Sequence, residues 1–251
     1  MTPTPPFPEL LSLIDERSAV LRDAVDSAGA LDVTVPGCPD WSLRELTTHL
    51  GEVQRFWSVV VSDADPAQAP SRERIPDPAP AGDLLAWSAE STRLLLAALG
   101  QAGPDRPCWT WWGPSGAPLT AGAVARHQVQ EASVHAFDAQ ESIGKPEPLP
   151  SVAALDGVAE FVQVGLGSLG AWRHDPARIA FAAVEGPSWL VDLSAEGARL
   201  EPTATDAPRA TVRAPASDLV LALYRRIPLE RVRVDGDRAL VERLLAWGDT
   251  E

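Results

Sequence analysis

The sequence is poor in lysine, cysteine and tyrosine. Of its 21 basic residues only Lys145 is a lysine, Cys38 and Cys108 are the two cysteines, and Tyr224 is the one tyrosine. Two cysteines build neither a disulfide framework nor a thiolate metal cluster. Basic charge is scarce as well: 35 acidic against 21 basic residues leave a formal net charge of −14 over 251 residues. Proteins that neutralise nucleic-acid phosphates or an anionic membrane need a basic surface, so both partner classes are excluded. Long hydrophobic runs are missing too, since no stretch approaches the roughly 18 consecutive apolar residues that span a bilayer. The proline-rich start, Met1 to Pro8, carries no basic n-region, so a cytoplasmic protein is expected. Arginine in place of lysine, with 24 prolines and abundant alanine, reads as codon bias without mechanistic meaning.

What is present divides into two patterns. In the first half, apolar residues recur at the three-and-four spacing of one helix face. Leu10, Leu13, Ile14, Leu21, Ala24 and Val25 predict a helix over 9–28. Pro39-Asp40-Trp41-Ser42 announces a second, in which Asp40 or Ser42 caps and Glu45 completes a capping box. Its stripe runs Leu43, Leu46, Leu50, Val53, Phe56/Trp57 and Val60. Leu84 to Gly100 predicts a third helix, and Thr120 opens a fourth that reaches Ile143. Gly144 to Pro150 cannot be helical and is the expected boundary. Beyond it, a helix over 151–172 precedes alternating runs at 178–184, 188–193, 198–201 and 210–214, a helix capped by Ser217-Asp218 through Arg226, a strand at 231–234 and a helix at 238–247. The expected fold class is α plus α+β: a four-helix bundle over residues 1–147, followed by a small mixed α/β sheet domain over 148–251.

The fourth helix carries the chemistry. Val124, Gln128, Glu131, His135 and Asp138 follow one another at spacings that put them on one face. A core does not accept Gln, Glu, His and Asp without partners. Glu131 and His135, four apart, point the same way and suit one metal ion. Read alone, the pair is more often a solvated contact, because with 35 acids in 251 residues any histidine has about a one-in-seven chance of an acid four positions before it. His49 lies on the apolar face of the second helix with Leu46, Val53 and Phe56. It is either a hydrogen-bonded core residue or a third ligand. A bundle that brings it to Glu131 and His135 joins two imidazoles and a carboxylate and leaves positions open for water or substrate, as catalytic metal sites do. Asp138, three after His135, is expected to orient it only poorly. Trp109, Trp111 and Trp112 are either packing or the wall of a pocket mouth.

Three segments carry a family resemblance. Val35-Pro36-Gly37-Cys38-Pro39-Asp40-Trp41-Ser42-Leu43-Arg44-Glu45-Leu46-Thr47-Thr48-His49 and Arg126-His127-Gln128-Val129-Gln130-Glu131-Ala132-Ser133-Val134-His135-Ala136-Phe137-Asp138 are the first two. The third runs from Ser217-Asp218-Leu219 through Tyr224-Arg225-Arg226-Ile227-Pro228 to Val234-Asp235-Gly236-Asp237. In this order they resemble the mycothiol-dependent maleylpyruvate isomerase family. The resemblance implies a DinB-like bundle, a C-terminal sterol-carrier-like domain, and a divalent metal, usually zinc, on His49, Glu131 and His135. It implies mycothiol, the low-molecular-weight thiol of actinobacteria, as cofactor, and Arg226 as the catalytic counter-charge to a small anionic electrophile, with Arg225 as fallback. Members commonly carry His at the position of Gln130, Arg-Trp at Ala136-Phe137 and Gly at Asp40; these departures bear on substrate more than on metal.

The implied chemistry is an isomerase or S-transferase in which a metal-activated thiolate adds to a small electrophile. Neither Cys38 nor Cys108 has a base beside it in sequence, so the catalytic sulfur is expected to be borrowed. The alternatives are a metal- or ligand-binding module without catalysis and a thiol-independent hydrolase or cyclase on the same scaffold. A monomer or homodimer acting on a small molecule fits all three.

Overall fold

The computed structural model describes residues 4–63, 66–201 and 207–248. Its residues form two compact units, one made of Pro5–Trp111 and Pro118–Pro148, the other of Thr4, Trp112–Ala117 and the chain from Leu149 onward.

The first unit is helical. α1 (Phe7–Asp26), α2 (Leu43–Ser62), α3 (Leu84–Ala102) and α4 (Ala121–Ser142) each bury most of the stripe that the spacing predicts, with Val53 and Phe56 of α2 and Glu131 of α4 only half-buried. Local chemistry sets where they begin. Ser42 accepts from the Glu45 amide while the Glu45 carboxylate accepts from the Ser42 amide at 2.7 Å, so the capping box of α2 is complete. Asp83 caps α3 through the amides of Leu85 and Ala86, and Thr120 caps α4 through that of Ala123. Leu21, Ala24 and Val25 of α1, Leu43, Leu46 and Leu50 of α2, and Ala136 and Ala139 of α4 meet in one buried cluster.

One element differs from expectation. Cys38–Ser42 does not simply lead into α2. It is a strand, β2, paired antiparallel with β1 (Thr34–Val35). Leu31 and Val33 then accept from the first amides of α2, those of Arg44 and Leu43. The two-residue link Pro36-Gly37 turns the chain back, a short-range signal too small to stand out beside the strong cap that follows it.

The second unit is the mixed α/β domain expected. Its sheet has strands β3 (Ala177–Ala183), β4 (Ser188–Ser194), β5 (Gly197–Glu201), β6 (Ala210–Ala214) and β7 (Arg233–Gly236) in the order β5-β4-β3-β6-β7. β3 and β6 are parallel and the other neighbours antiparallel. α5 (Ser151–Glu160), α6 (Ala216–Leu223) and α7 (Arg238–Trp247) complete it. The expected helix over 151–172 is regular only to Glu160, then widens into a π turn (Phe161–Gly165) and tightens into a 3-10 turn (Leu166–Ser168). Gly165 and Gly167 weaken the regular pattern there. Ser217 does not cap α6. The cap position is Pro215, and the Ser217 hydroxyl instead accepts from the Leu149 amide at 2.9 Å.

Candidate metal centre and cavity

The helical unit brings α2 and α4 side by side, and with them the three residues chosen from the sequence. His49 Nε2 lies 3.1 Å from Glu131 Oε1. His135 Nε2 lies 3.4 Å from the same oxygen. One donor atom from each of the three falls within 4.8 Å of the others. Ligand atoms bound tetrahedrally at about 2.1 Å from one ion stand about 3.4 Å apart, so the separations suit a single small divalent cation. Two imidazoles and one carboxylate are also a donor set for such ions.

What holds the set in place comes from a residue expected to contribute little. The Asp138 carboxylate, fully buried, takes His135 Nδ1 at 2.9 Å. This corrects the expectation of poor alignment: the i, i+3 offset on α4 brings the ring and the carboxylate into hydrogen-bond contact. A carboxylate on Nδ1 fixes the ring and directs Nε2 toward Glu131 and His49, as partners of metal-binding histidines do. The Cys38 thiol of β2 donates to the same Asp138 oxygen at 3.9 Å. Trp41 of β2 covers the site, its ring 4.5 Å from that of His49 and 6.0 Å from that of His135. Nothing in the spacing of Trp41 points to this, because the hairpin that swings it over the histidines is a tertiary feature.

The electrostatics follow from burial opposed by partners. Burial alone raises the Glu131 carboxyl, but hydrogen bonds from His135 and His49 outweigh it and hold the group well below the usual carboxylate range. Burial disfavours a charged His135, yet its hydrogen bonds to Asp138 and Glu131 raise it to about 9. A cation that takes Nε2 competes with a proton for it, while Asp138 keeps hold of Nδ1.

Glu131 also faces a cavity of about 540 Å³. Phe56 and Trp57 of α2 and Trp111 from the loop before α4 give it aromatic walls, and Val53, Pro70, Ile75 and Pro78 extend the apolar lining. Glu52, Arg72, His127 and Glu131 are its ionisable groups. Of the three tryptophans in the aromatic loop, Trp111 lines the cavity, Trp109 stacks on Trp57 at 6.1 Å, and Trp112 is wholly buried in the second unit. His127 went unremarked in the sequence, although it stands four before Glu131 as His135 stands four after. Arg226 follows α6 in the second unit and donates to the Tyr224 carbonyl at 2.9 Å; Arg225 beside it is exposed, with φ 59°.

Residues 11–140 match the family described as "Mycothiol maleylpyruvate isomerase N-terminal domain", which covers half of the chain. The chain belongs to this family. The maleylpyruvate isomerase match continues in the second unit, where residues 153–243 fit the family's C-terminal domain. No curated protein matches the sequence significantly. Among solved structures, the crystal structure of the mycothiol-dependent maleylpyruvate isomerase aligns with a TM-score of 0.61 at 14% identity, over 94% of this chain and 96% of that one. A histidine-to-alanine mutant of that isomerase aligns with a TM-score of 0.62 at 15% identity, over the same shares. At these identities the likeness is one of fold. It spans the helical region and the mixed sheet alike.

Proposed function

We propose that this member of the maleylpyruvate isomerase family is a metal-dependent enzyme that uses mycothiol to isomerise a small electrophile, or to transfer the thiol to it. The observation that carries the reading is the His49–Glu131–His135 donor set standing at the edge of a cavity with room for a small molecule. When bound there, a divalent cation, zinc by preference, lowers the pKa of a thiol and so supplies a thiolate nucleophile at neutral pH.

The protein's own residues prepare for this chemistry. His49 and His135 present imidazole nitrogens, Glu131 a carboxylate kept ionised by them. Asp138 holds the His135 ring through Nδ1. The chain offers no sulfur of its own for the role. Cys108 is buried and its thiol is pushed up to about 11 by that burial, and the Cys38 thiol is engaged with Asp138. In this reading a thiol from solution supplies the sulfur. Arg226 is retained as the counter-charge to an anionic substrate, on the strength of the family motif it occupies.

The test has two parts. Protein purified without chelator should carry close to one equivalent of divalent metal, and His49→Ala, Glu131→Ala and His135→Ala should each lose it while remaining folded. Retention of metal by all three variants refutes the site. Zinc-loaded protein should then isomerise maleylpyruvate only when mycothiol is present. Mycothiol recovered unchanged marks an isomerase, and its consumption into a mass adduct marks a transferase. Bound metal with neither outcome over a panel of electrophiles would leave a binding module.

A further inference from the structure

One wall of the cavity comes from outside the helices. Pro70, Arg72, Ile75 and Pro78 belong to the segment between α2 and α3, whose described residues form no regular element apart from a 3-10 turn at Arg72–Arg74. A helix keeps its line through its own backbone hydrogen bonds, whereas an irregular segment stands only where side chains grip it. The place of this wall therefore depends on its fastenings.

The main fastening is a buried clasp made by Arg55 of α2 and Trp87 of α3. The cavity lining includes neither residue. Arg55 Nη1 donates to the Pro76 carbonyl and Trp87 Nε1 to the Asp77 carbonyl, each at 3.0 Å. These two carbonyls lie between Ile75 and Pro78 in the chain, so the clasp grips the wall between two residues that line the cavity. Its halves are also tied to each other. The Arg55 guanidinium covers the Trp87 ring at 4.9 Å, and Arg55 Nε donates at 2.8 Å to Ser91, whose hydroxyl donates to the Trp87 carbonyl. An arginine that only covers apolar surface keeps its head in water; Arg55 is 2% exposed and gives its donors to the wall and to the clasp instead. At the gripped point Asp77 stands at φ 43°. A residue with a side chain holds that left-handed conformation only where its surroundings over-determine it. Loss of the clasp releases the strained residue, and Ile75 and Pro78 shift with it.

We infer that Arg55 and Trp87 are positioning residues for the cavity: they set the place of the wall over residues 70–78, and through it the fit of the small molecule, while belonging neither to the cavity lining nor to the metal-binding set. The effect on turnover rests on the reaction proposed above, but the wall itself is followed without any turnover. Zinc-supplemented parent, Arg55→Met, Arg55→Lys and Trp87→Phe are compared by tryptic nicking after Arg72 and Arg74 and by diethyl pyrocarbonate labelling of histidines, both read by mass spectrometry. In Arg55→Met, nicking at the two wall arginines should quicken at least about tenfold, because cleavage follows the population of the released segment. His127, half-buried at the same cavity, should label at least about threefold faster, while the exposed His174 of the second unit keeps its rate. Arg55→Lys retains a donor and should fall between the two. Trp87→Phe keeps a ring and loses only the Asp77 bond, so it decides the matter if Arg55→Met does not fold. Zinc affinity by chelator competition should stay within about twofold of the parent, the site's own histidines being held separately by Asp138. With maleylpyruvate and mycothiol, KM for the electrophile should rise at least about fivefold against a kcat changed by less than about twofold, whereas a protein merely losing folded fraction loses kcat at constant KM. Nicking and His127 labelling equal to the parent's in Arg55→Met and Trp87→Phe overturn the inference, as do a rise shared by His174 or a loosened wall with KM unchanged. Absence of turnover while the nicking and labelling results hold would refute the proposed reaction alone; turnover with an unaltered wall would refute this inference alone.

Discussion

At the scale of single residues, Asp138 shows how a buried acid acts through a neighbour. Its carboxylate holds His135 Nδ1 at 2.9 Å, so Asp138→Asn exchanges a charged acceptor for an amide that also presents donors to the ring. Metal affinity should fall by about 10- to 100-fold, the usual cost of losing such a partner, while the circular dichroism spectrum stays that of the parent. A competitive chelator titration measures the first quantity independently of turnover. Cys108 gives a second prediction. Burial pushes its thiol from an ordinary value of 9.0 to about 11. The folded state therefore holds this proton more tightly than the unfolded chain. The associated stability is complete below about pH 9 and is lost as pH rises through about 11, at most about 3 kcal/mol. His135, raised to about 9, loses its proton in the lower part of the same window, so thermal melts are compared from about pH 9.5 to 11, where Cys108→Ala should flatten the decline seen in the parent. The three metal-binding candidates were legible because i, i+4 spacing on a helix is rigid geometry, and their family pattern singled out His49. Arg72 was not, since an arginine in an irregular proline-rich segment has no periodicity to say where it points.

Elements were legible in proportion to their length. Four amphipathic helices, three of them opened by a side-chain cap, announce themselves because burial and local hydrogen bonding favour the same answer. The hairpin β1–β2 is too short to show a period, yet it carries Trp41 over the histidines and Cys38 toward Asp138. The helix expected over 151–172 loses its regular turn after Glu160 at a glycine-bearing stretch. Packing between elements makes its own prediction at Gly51 on α2. A methyl group there would run into the Trp87 ring of α3. That ring has little freedom to move aside, since its Nε1 donates to the Asp77 carbonyl at 3.0 Å and the Arg55 guanidinium covers its face at 4.9 Å. Gly51→Ala gains up to about 1 kcal/mol of helix propensity but costs about 1–3 kcal/mol in overpacking. The urea midpoint should shift down, by the equivalent of about 1–2 kcal/mol.

At the scale of the whole molecule, charge and division matter most. A net charge of −14 repels itself in the compact state. Raising sodium chloride from about 20 mM to about 0.5 M shortens the screening length to a few ångströms, so the melting temperature should rise by several degrees; a flat or falling response would contradict this. Among the described residues no helix is long and apolar enough to cross a membrane. The sequence by itself determined the helical first half and mixed second half and the pairing of Glu131 with His135, each from a period that local geometry enforces, while the family resemblance added His49. The tertiary structure alone decided that His49 meets Glu131 across two helices, that Asp138 steadies His135 and Trp41 covers both histidines, and that Arg72 faces an aromatic cavity. Those contacts join residues far apart in the chain, and such proximity arises from how elements pack, which no local period records.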